Sequence, residues 1–291
     1  MRLVLFLVWL LHWLPLPLLA AIGRGLGGLL WHLAGSRRRI ALRNLELCLS
    51  EMPQAERRAL AREHFGWLGR SILERGVLWY ASEARLNRLI RVEGPVSYAD
   101  DHPELPLMWL APHFLALDVC GAAIQLNIRR PGASIYQAQS NKVFDAAMKR
   151  GRLRFGNARI FARNETAKPL LRAIKGGMGF FNLPDMDFGA KDAAFVPFFG
   201  TPAATLLAPS RMAQLLKMKV QPVIGELLPG GQGYVVRFYE PFDHFPSDDA
   251  VADTAWLNRW IEQRIREKPA QYLWVHKRFK TRPEGEPALY E

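Results

Sequence analysis

The sequence predicts an α/β fold, a mainly parallel central sheet flanked by helices, behind an N-terminal membrane-anchoring helical segment. Three observations carry this. From Leu89 onward, short apolar runs alternate with longer amphipathic stretches, the pattern of strands and crossover helices. Leu105–Ala111 (LPLMWLA) is an apolar run of strand length, bounded by Pro106 and Pro112, as expected of a strand buried on both faces. Leu3–Gly23 carries no charged residue, and a helix of that length is roughly as long as a bilayer core is thick.

In chain order, Pro15 and Pro17 interrupt the first apolar stretch, so two short segments dipping into one leaflet fit as well as a full span. A cleaved signal peptide is a third reading, with Arg2 as its basic start and Leu18–Ala21 near a cleavage site. Against it, a second apolar segment, Leu26–Leu33, follows and runs into Arg37, Arg38, Arg39 and Arg43. That order favours a retained anchor with the arginines on the cytoplasmic side. The expected organisation is an anchor over 1–35 and an α/β domain over 36–291. Residues 23–28 (GRGLGG) match GxGxxG, but no strand precedes them and no βαβ unit with an acidic residue follows. Close packing of membrane-associated helices explains the glycines better than a dinucleotide site.

Ser50 to about Tyr80 reads as a helix, with Pro53 in its first turn and Phe65, Leu68, Ile72 and Trp79 as its apolar stripe. Leu89–Val92 reads as a short strand. After the central run, strands are expected at 133–138, 159–161, 178–183, 220–228 and 234–239, and helices at 142–154, 168–175, 205–217 and 248–267.

The net charge of +12 over 291 residues points to acidic partners, namely nucleic acid, an anionic bilayer or an acidic carrier protein. The cations are scattered rather than gathered in one block, which argues against nucleic acid. Cys48 and Cys120 stand apart from any CxxC or metal spacing, so neither a disulfide scaffold nor a metal site is indicated, and no cofactor is called for.

Chemistry concentrates at His113. It follows the central strand directly, at the edge of a helix expected over Phe114–Ile124, where open α/β sheets bind ligands. Asp118 lies five residues on. If His113 sits just outside the helix and turns back, that carboxylate can fix its tautomer and leave the other ring nitrogen as a general base. The alternative is a histidine that only caps a core helix. His244 and Asp249 repeat the spacing in a polar stretch with no apolar strand before it, and read as a solvated loop. GxSxG, GxxxxGK[ST] and HExxH are all absent, so the substrate must bring the nucleophile to this base. Residues 182–189 (NLPDMDFG) close another strand with Asp185 and Asp187, and 196–201 (VPFFGT) could line an apolar channel or be ordinary core. Arg150, Arg152, Arg154 and Arg163 could hold phosphate or form a solvated basic face. The closing QYLWVHKRFKTRP is expected to be a surface helix and tail near an anionic interface.

APHFLALD, LPDMDFG, VPFFG with Thr205, and QYLWVHKRFKTRP, in this order, resemble the lipid A biosynthesis late acyltransferases (lauroyl/myristoyl transferases) within the lysophospholipid acyltransferase superfamily. The resemblance covers nearly the whole chain. It implies an acyltransferase with an HxxxxD motif, matched by His113 and Asp118. It further implies an acyl-carrier-protein thioester as donor and a hydroxyl of a lipid A precursor as acceptor. Arg150, with Arg163, matches the family's second-block arginine, and Pro184 with Asp185 its third-block turn, so Arg150, Arg163 and Asp185 are the expected substrate-binding residues. The implied location is the inner membrane, with the catalytic domain on its cytoplasmic side. YQAQSN at 136–141 departs from the usual Tyr-Arg-Pro start. Another lipid acceptor (a glycerophospholipid or ornithine-type lipid), or a non-catalytic basic membrane-peripheral protein, are the competing readings.

Overall fold

The computed structural model describes residues 1–156, 158–163 and 167–290. Its helices are α1 (Arg2–Leu11), α2 (Leu16–Leu33), α3 (Gly35–Cys48), α4 (Gln54–Tyr80), α5 (Glu83–Leu89), α6 (Tyr98–Asp101), α7 (Leu117–Asn127), α8 (Lys142–Arg152), α9 (Ala167–Lys175), α10 (Ala208–Leu215) and α11 (Ala250–Glu267). Its strands are β1 (Ile90–Glu93), β2 (Leu107–Leu110), β3 (Gly132–Tyr136), β4 (Arg159–Ala162), β5 (Gly179–Asn182), β6 (Ala193–Phe198), β7 (Thr201–Leu206), β8 (Lys219–Leu227) and β9 (Tyr234–Phe238). Seven strands form one sheet in the order β1-β9-β8-β2-β5-β3-β4. Every neighbouring pair is parallel except β8–β9, joined as an antiparallel hairpin. The α/β class read from the sequence is therefore the class observed.

β2 is the middle strand, and all four of its residues are buried. Helices cover both sheet faces, so an unbroken apolar run is what such a strand needs, and each large side chain buried contributes roughly 1.5–3 kcal/mol. On one face Trp109 packs with α7 and α4; on the other, Met108 and Leu110 join Phe114, Tyr272 and Trp274.

α4 is the longest element and the one that α2 lies along. The glycines of GRGLGG make this possible. A Cβ on Gly27 would stand 2.0 Å from the Phe65 carbonyl oxygen, and one on Gly69 would stand 2.2 Å from that of Gly23, so the two backbones touch. Only glycine permits such an approach. Close helix packing, expected for this motif in place of nucleotide binding, is what it does.

Two expectations fail. Residues 205–217 are not one helix, because Thr205 belongs to β7 and α10 begins at Ala208; β6 and β7 form a separate antiparallel hairpin. The closing segment is not a surface helix either: Tyr272, Trp274, Arg278 and Phe279 are all buried. Arg278 is accommodated because its Nη1 donates to the Ala204 carbonyl at 2.9 Å and its Nη2 to Thr205 Oγ1 at 2.6 Å. A buried cation needs such partners. Of the second HxxxxD pair, Asp249 caps α11, accepting from the N–H groups of Val251 and Ala252.

Candidate active site

β2 ends at Leu110, and the chain then turns through Pro112 to His113. The neighbouring β5 ends at Asn182, which pairs with Leu110 in register. His113 and Asp185 each lie three residues past that pair, so the parallel register brings them together. His113 Nδ1 lies 2.6 Å from Asp185 Oδ1, and the His113 backbone N–H donates to Asp185 Oδ2 at 2.9 Å. The Tyr272 side chain also favours the charged form of this carboxyl. Burial pushes Asp185 up, but the neighbouring imidazole charge and these hydrogen bonds outweigh it and hold the carboxyl below its ordinary range. One buried carboxylate thus chelates the ring and the backbone of the same histidine, leaving Nε2 as the nitrogen open to chemistry.

The expected partner, Asp118, is elsewhere. α7 starts only at Leu117, and residues 114–116 are drawn towards the C-terminal segment. Phe114 forms a bridge with Tyr272, and the Leu115 N–H donates to the Gln271 carbonyl at 2.8 Å. Asp118 therefore sits in the first turn of α7, where the helix dipole favours an acid. It is taken by two arginines: Arg152 Nε at 2.9 Å and Arg75 Nε at 2.8 Å. Burial raises its pKa, but Arg152 and then Arg75 more than compensate, and the carboxyl ends below its usual range. The amides of Phe114 and Leu115 are occupied by the Pro112 and Gln271 carbonyls, so neither is free to hold an oxyanion.

His113, Asp118, Arg75, Arg152 and Arg163 line one groove of about 460 Å³. Its apolar wall comes from Leu68 and Ile72 of α4 with Leu115, Met148 and Phe180. It adjoins an inner cavity of about 100 Å³ walled by Trp79, Trp109, Tyr136 and Phe155, with Asp118 and Arg152 lining both. Residues 196–201 line neither space; Phe198 packs on Tyr272 and Phe279 instead. Of the expected arginines, Arg163 reaches the groove, its guanidinium 3.9 Å over the Phe188 ring. Arg150 is exposed on α8 and outside the groove; Arg152, two residues on, takes that place. Arg154 turns away to the Leu78 and Ala81 carbonyls.

Sequence reasoning missed Arg75, Tyr272 and His276. His276 Nε2 accepts the Asp187 N–H at 3.2 Å, and the Asp187 carboxylate accepts from Thr281, so the closing segment is stapled to the loop that carries Asp185. Burial, then repulsion from His113, push His276 down to about 4; burial does the same to His64, also to about 4. The unfolded chain takes up these protons near an ordinary pKa of about 6.5, whereas the native one does so near 4. Native stability therefore falls as pH drops through that window, by about 3 kcal/mol for the fully buried His64. The thermal midpoint should decline steadily from pH 7 to pH 4, and His64→Gln, whose amide can still donate to Ala270, should flatten the decline. A midpoint independent of pH there would contradict the buried neutral imidazoles.

Comparison with known proteins decides the family. A family described as bacterial lipid A biosynthesis acyltransferase matches residues 1–281. The chain belongs to that family. It is 34% identical over 285 residues to the lipid A biosynthesis lauroyltransferase of Escherichia coli (strain K12), covering 97% of this chain and 92% of that protein. A lipid A biosynthesis acyltransferase of Haemophilus influenzae is 35% identical over 285 residues, covering 96% and 89%. The lipid A biosynthesis palmitoleoyltransferase of Escherichia coli (strain K12) is 30% identical over 285 residues, covering 97% and 92%. The chain is thus an acyltransferase of lipid A biosynthesis by family, and the groove at His113 is where its geometry concentrates acid–base and cationic groups.

Proposed function

We propose that this lipid A acyltransferase moves a fatty acyl group from an acyl-carrier-protein thioester to a hydroxyl of a lipid A precursor, with His113 as general base. It would work at the cytoplasmic side of the inner membrane. The observation that carries the reading is the buried Asp185 carboxylate on His113 Nδ1, which sets the tautomer and turns Nε2 to the groove. As the acceptor oxygen attacks the thioester carbonyl, its proton passes to Nε2 and the imidazolium is stabilised by Asp185. The tetrahedral intermediate then expels the thiolate as the C–S bond breaks, and the imidazolium returns the proton to sulfur. Charge on the former carbonyl oxygen is met by the guanidinium groups of the groove, Arg163 and the Arg75–Arg152 pair. The same cations suit the phosphates of the acceptor, and the inner apolar cavity suits an acyl chain.

The test is to incubate the purified full-length protein with acyl-carrier-protein thioester and lipid A precursor and look for the new ester by mass spectrometry. Ester on a glycerophospholipid or ornithine lipid instead would move the acceptor; no ester on any acceptor would refute the reading. The positive chain should draw in the acidic carrier electrostatically. Raising ionic strength from about 0.01 M to about 0.15 M shortens the screening length from about 30 Å to about 8 Å. KM for the carrier thioester should then rise several-fold with kcat nearly constant. A KM indifferent to salt would mean that charge does not guide docking.

A further inference from the structure

α2 runs antiparallel to α4, with Gly23 against Arg70 and Gly27 against Phe65, whereas α1 doubles back beside it in the direction of α4, with Val8 against Gly76 and the His12 ring 5.8 Å from that of Tyr80. The break between them is clamped by Arg85, which donates from Nη2 to the Leu14 carbonyl at 2.6 Å and from Nη1 to that of His12. α2 is apolar on both sides. Its inner face packs on α4, while Leu18, Ile22, Leu29 and Leu33 on the other side are exposed, and Phe6 on α1 and Trp13 in the turn after it are exposed as well.

A helix spanning the bilayer would have to carry α4 with it or leave it. α4 bears Arg57, Arg58, Arg62, Glu63, Arg70, Glu74 and Arg75, and charges are expensive in hydrocarbon. Leaving α4 would strip the backbone contacts of Gly23, Gly27 and Gly69 and uncover the buried Arg70–Glu74 pair. We propose that α1 and α2 form a monotopic seat: both lie in the plane of one leaflet, their outer face among the acyl chains, with α4 beneath them at the surface and neither helix crossing the bilayer. The occupant of the open face is a leaflet rich in anionic lipid. Residues 1–45 hold six arginines and no acidic residue, so a second copy seated there would set like charge on like charge. Leu68, Ile72 and Arg75 line the groove from α4, so a lipid acceptor would enter sideways from the same leaflet; this last step rests on the acyl-transfer reading, and the seat does not.

The test uses the full-length protein in vesicles of mixed phosphatidylcholine and phosphatidylglycerol. Cys48 and Cys120 are buried, so a cysteine introduced at an exposed position is the reactive thiol. Bimane on L18C, I22C, L29C and L33C, read against lipids with nitroxides placed shallow or at the chain end, should report four similar depths within one leaflet. A depth profile passing through the midplane between Ile22 and Leu29, with both ends shallow, would mean a span and overturn the proposal. No quenching at any position, together with concentration-dependent dimerisation, would mean that a second copy covers the face and would also overturn it. Vesicles of phosphatidylcholine alone should bind at least several-fold more weakly; equal binding overturns the anionic preference. The unmodified protein supplies a check free of folding effects: brominated lipids should quench part of its tryptophan emission, from Trp9 and Trp13, and no quenching at all overturns the seat.

Discussion

His113→Ala is expected to lower kcat for acyl transfer by about 10³–10⁴-fold, the range over which a positioned base and its orienting acid act. The loss should fall on kcat, because the imidazole is asked to act only as the acceptor hydroxyl attacks, and the apolar walls and arginines of the groove are untouched. Folding should survive. Asp185 keeps the His113 backbone N–H as a donor, so its buried carboxylate is not orphaned, and the thermal midpoint should move by only a few degrees, as about 1 kcal/mol would. Steady-state turnover by mass spectrometry, beside circular dichroism of the same preparation, reads both quantities. A variant that turns over near the wild-type rate would remove the imidazole from the chemistry and leave Nε2 without a purpose.

How far the sequence revealed this site depends on which contacts are local. The central strand and the histidine at its end are legible because a proline-bounded apolar run followed by a polar residue is a short-range pattern. Asp185 is not legible as the partner of His113, since the two are 72 residues apart and meet only because β5 lies beside β2 in a sheet whose strand order no local pattern encodes. Asp118 was the natural candidate by spacing, and the geometry that removes it is again distant: Arg75 arrives on α4 and Arg152 on α8. The closing segment misled for a different reason. Interleaved cations and aromatics read as surface, whereas Arg278 is buried over the Phe198 ring and Tyr272 is bridged to Phe114, next to His113. The helical N-terminus, by contrast, was readable in kind, because its apolar run, its glycines and its prolines each have a local meaning.

Asp185→Asn is the second large effect, expected to cost about 10³–10⁴-fold in kcat at little cost in KM, by the logic of a base held in the wrong tautomer. Both carboxylate oxygens accept: one faces the His113 backbone N–H and the other Nδ1. An asparagine has one oxygen and one NH₂ to offer. If the oxygen keeps the backbone N–H, the NH₂ must donate to Nδ1, which forces the ring proton onto Nε2 and abolishes the base. If the amide flips, its NH₂ meets the backbone N–H donor to donor, and the loop that carries His113 loses its anchor. Neither arrangement restores catalysis, and asparagine is nearly the same size, so packing is not the cause. Asp118→Asn is the control. Its carboxylate serves Arg75 and Arg152 rather than the ring, so that variant should lose roughly tenfold or less in kcat and show its larger effect in thermal stability, where two part-buried guanidinium groups lose their counter-charge. The reverse order, with Asp118→Asn costing about 10³-fold or more in kcat and Asp185→Asn near wild type, would transfer the orienting role back to the acid five residues from the histidine.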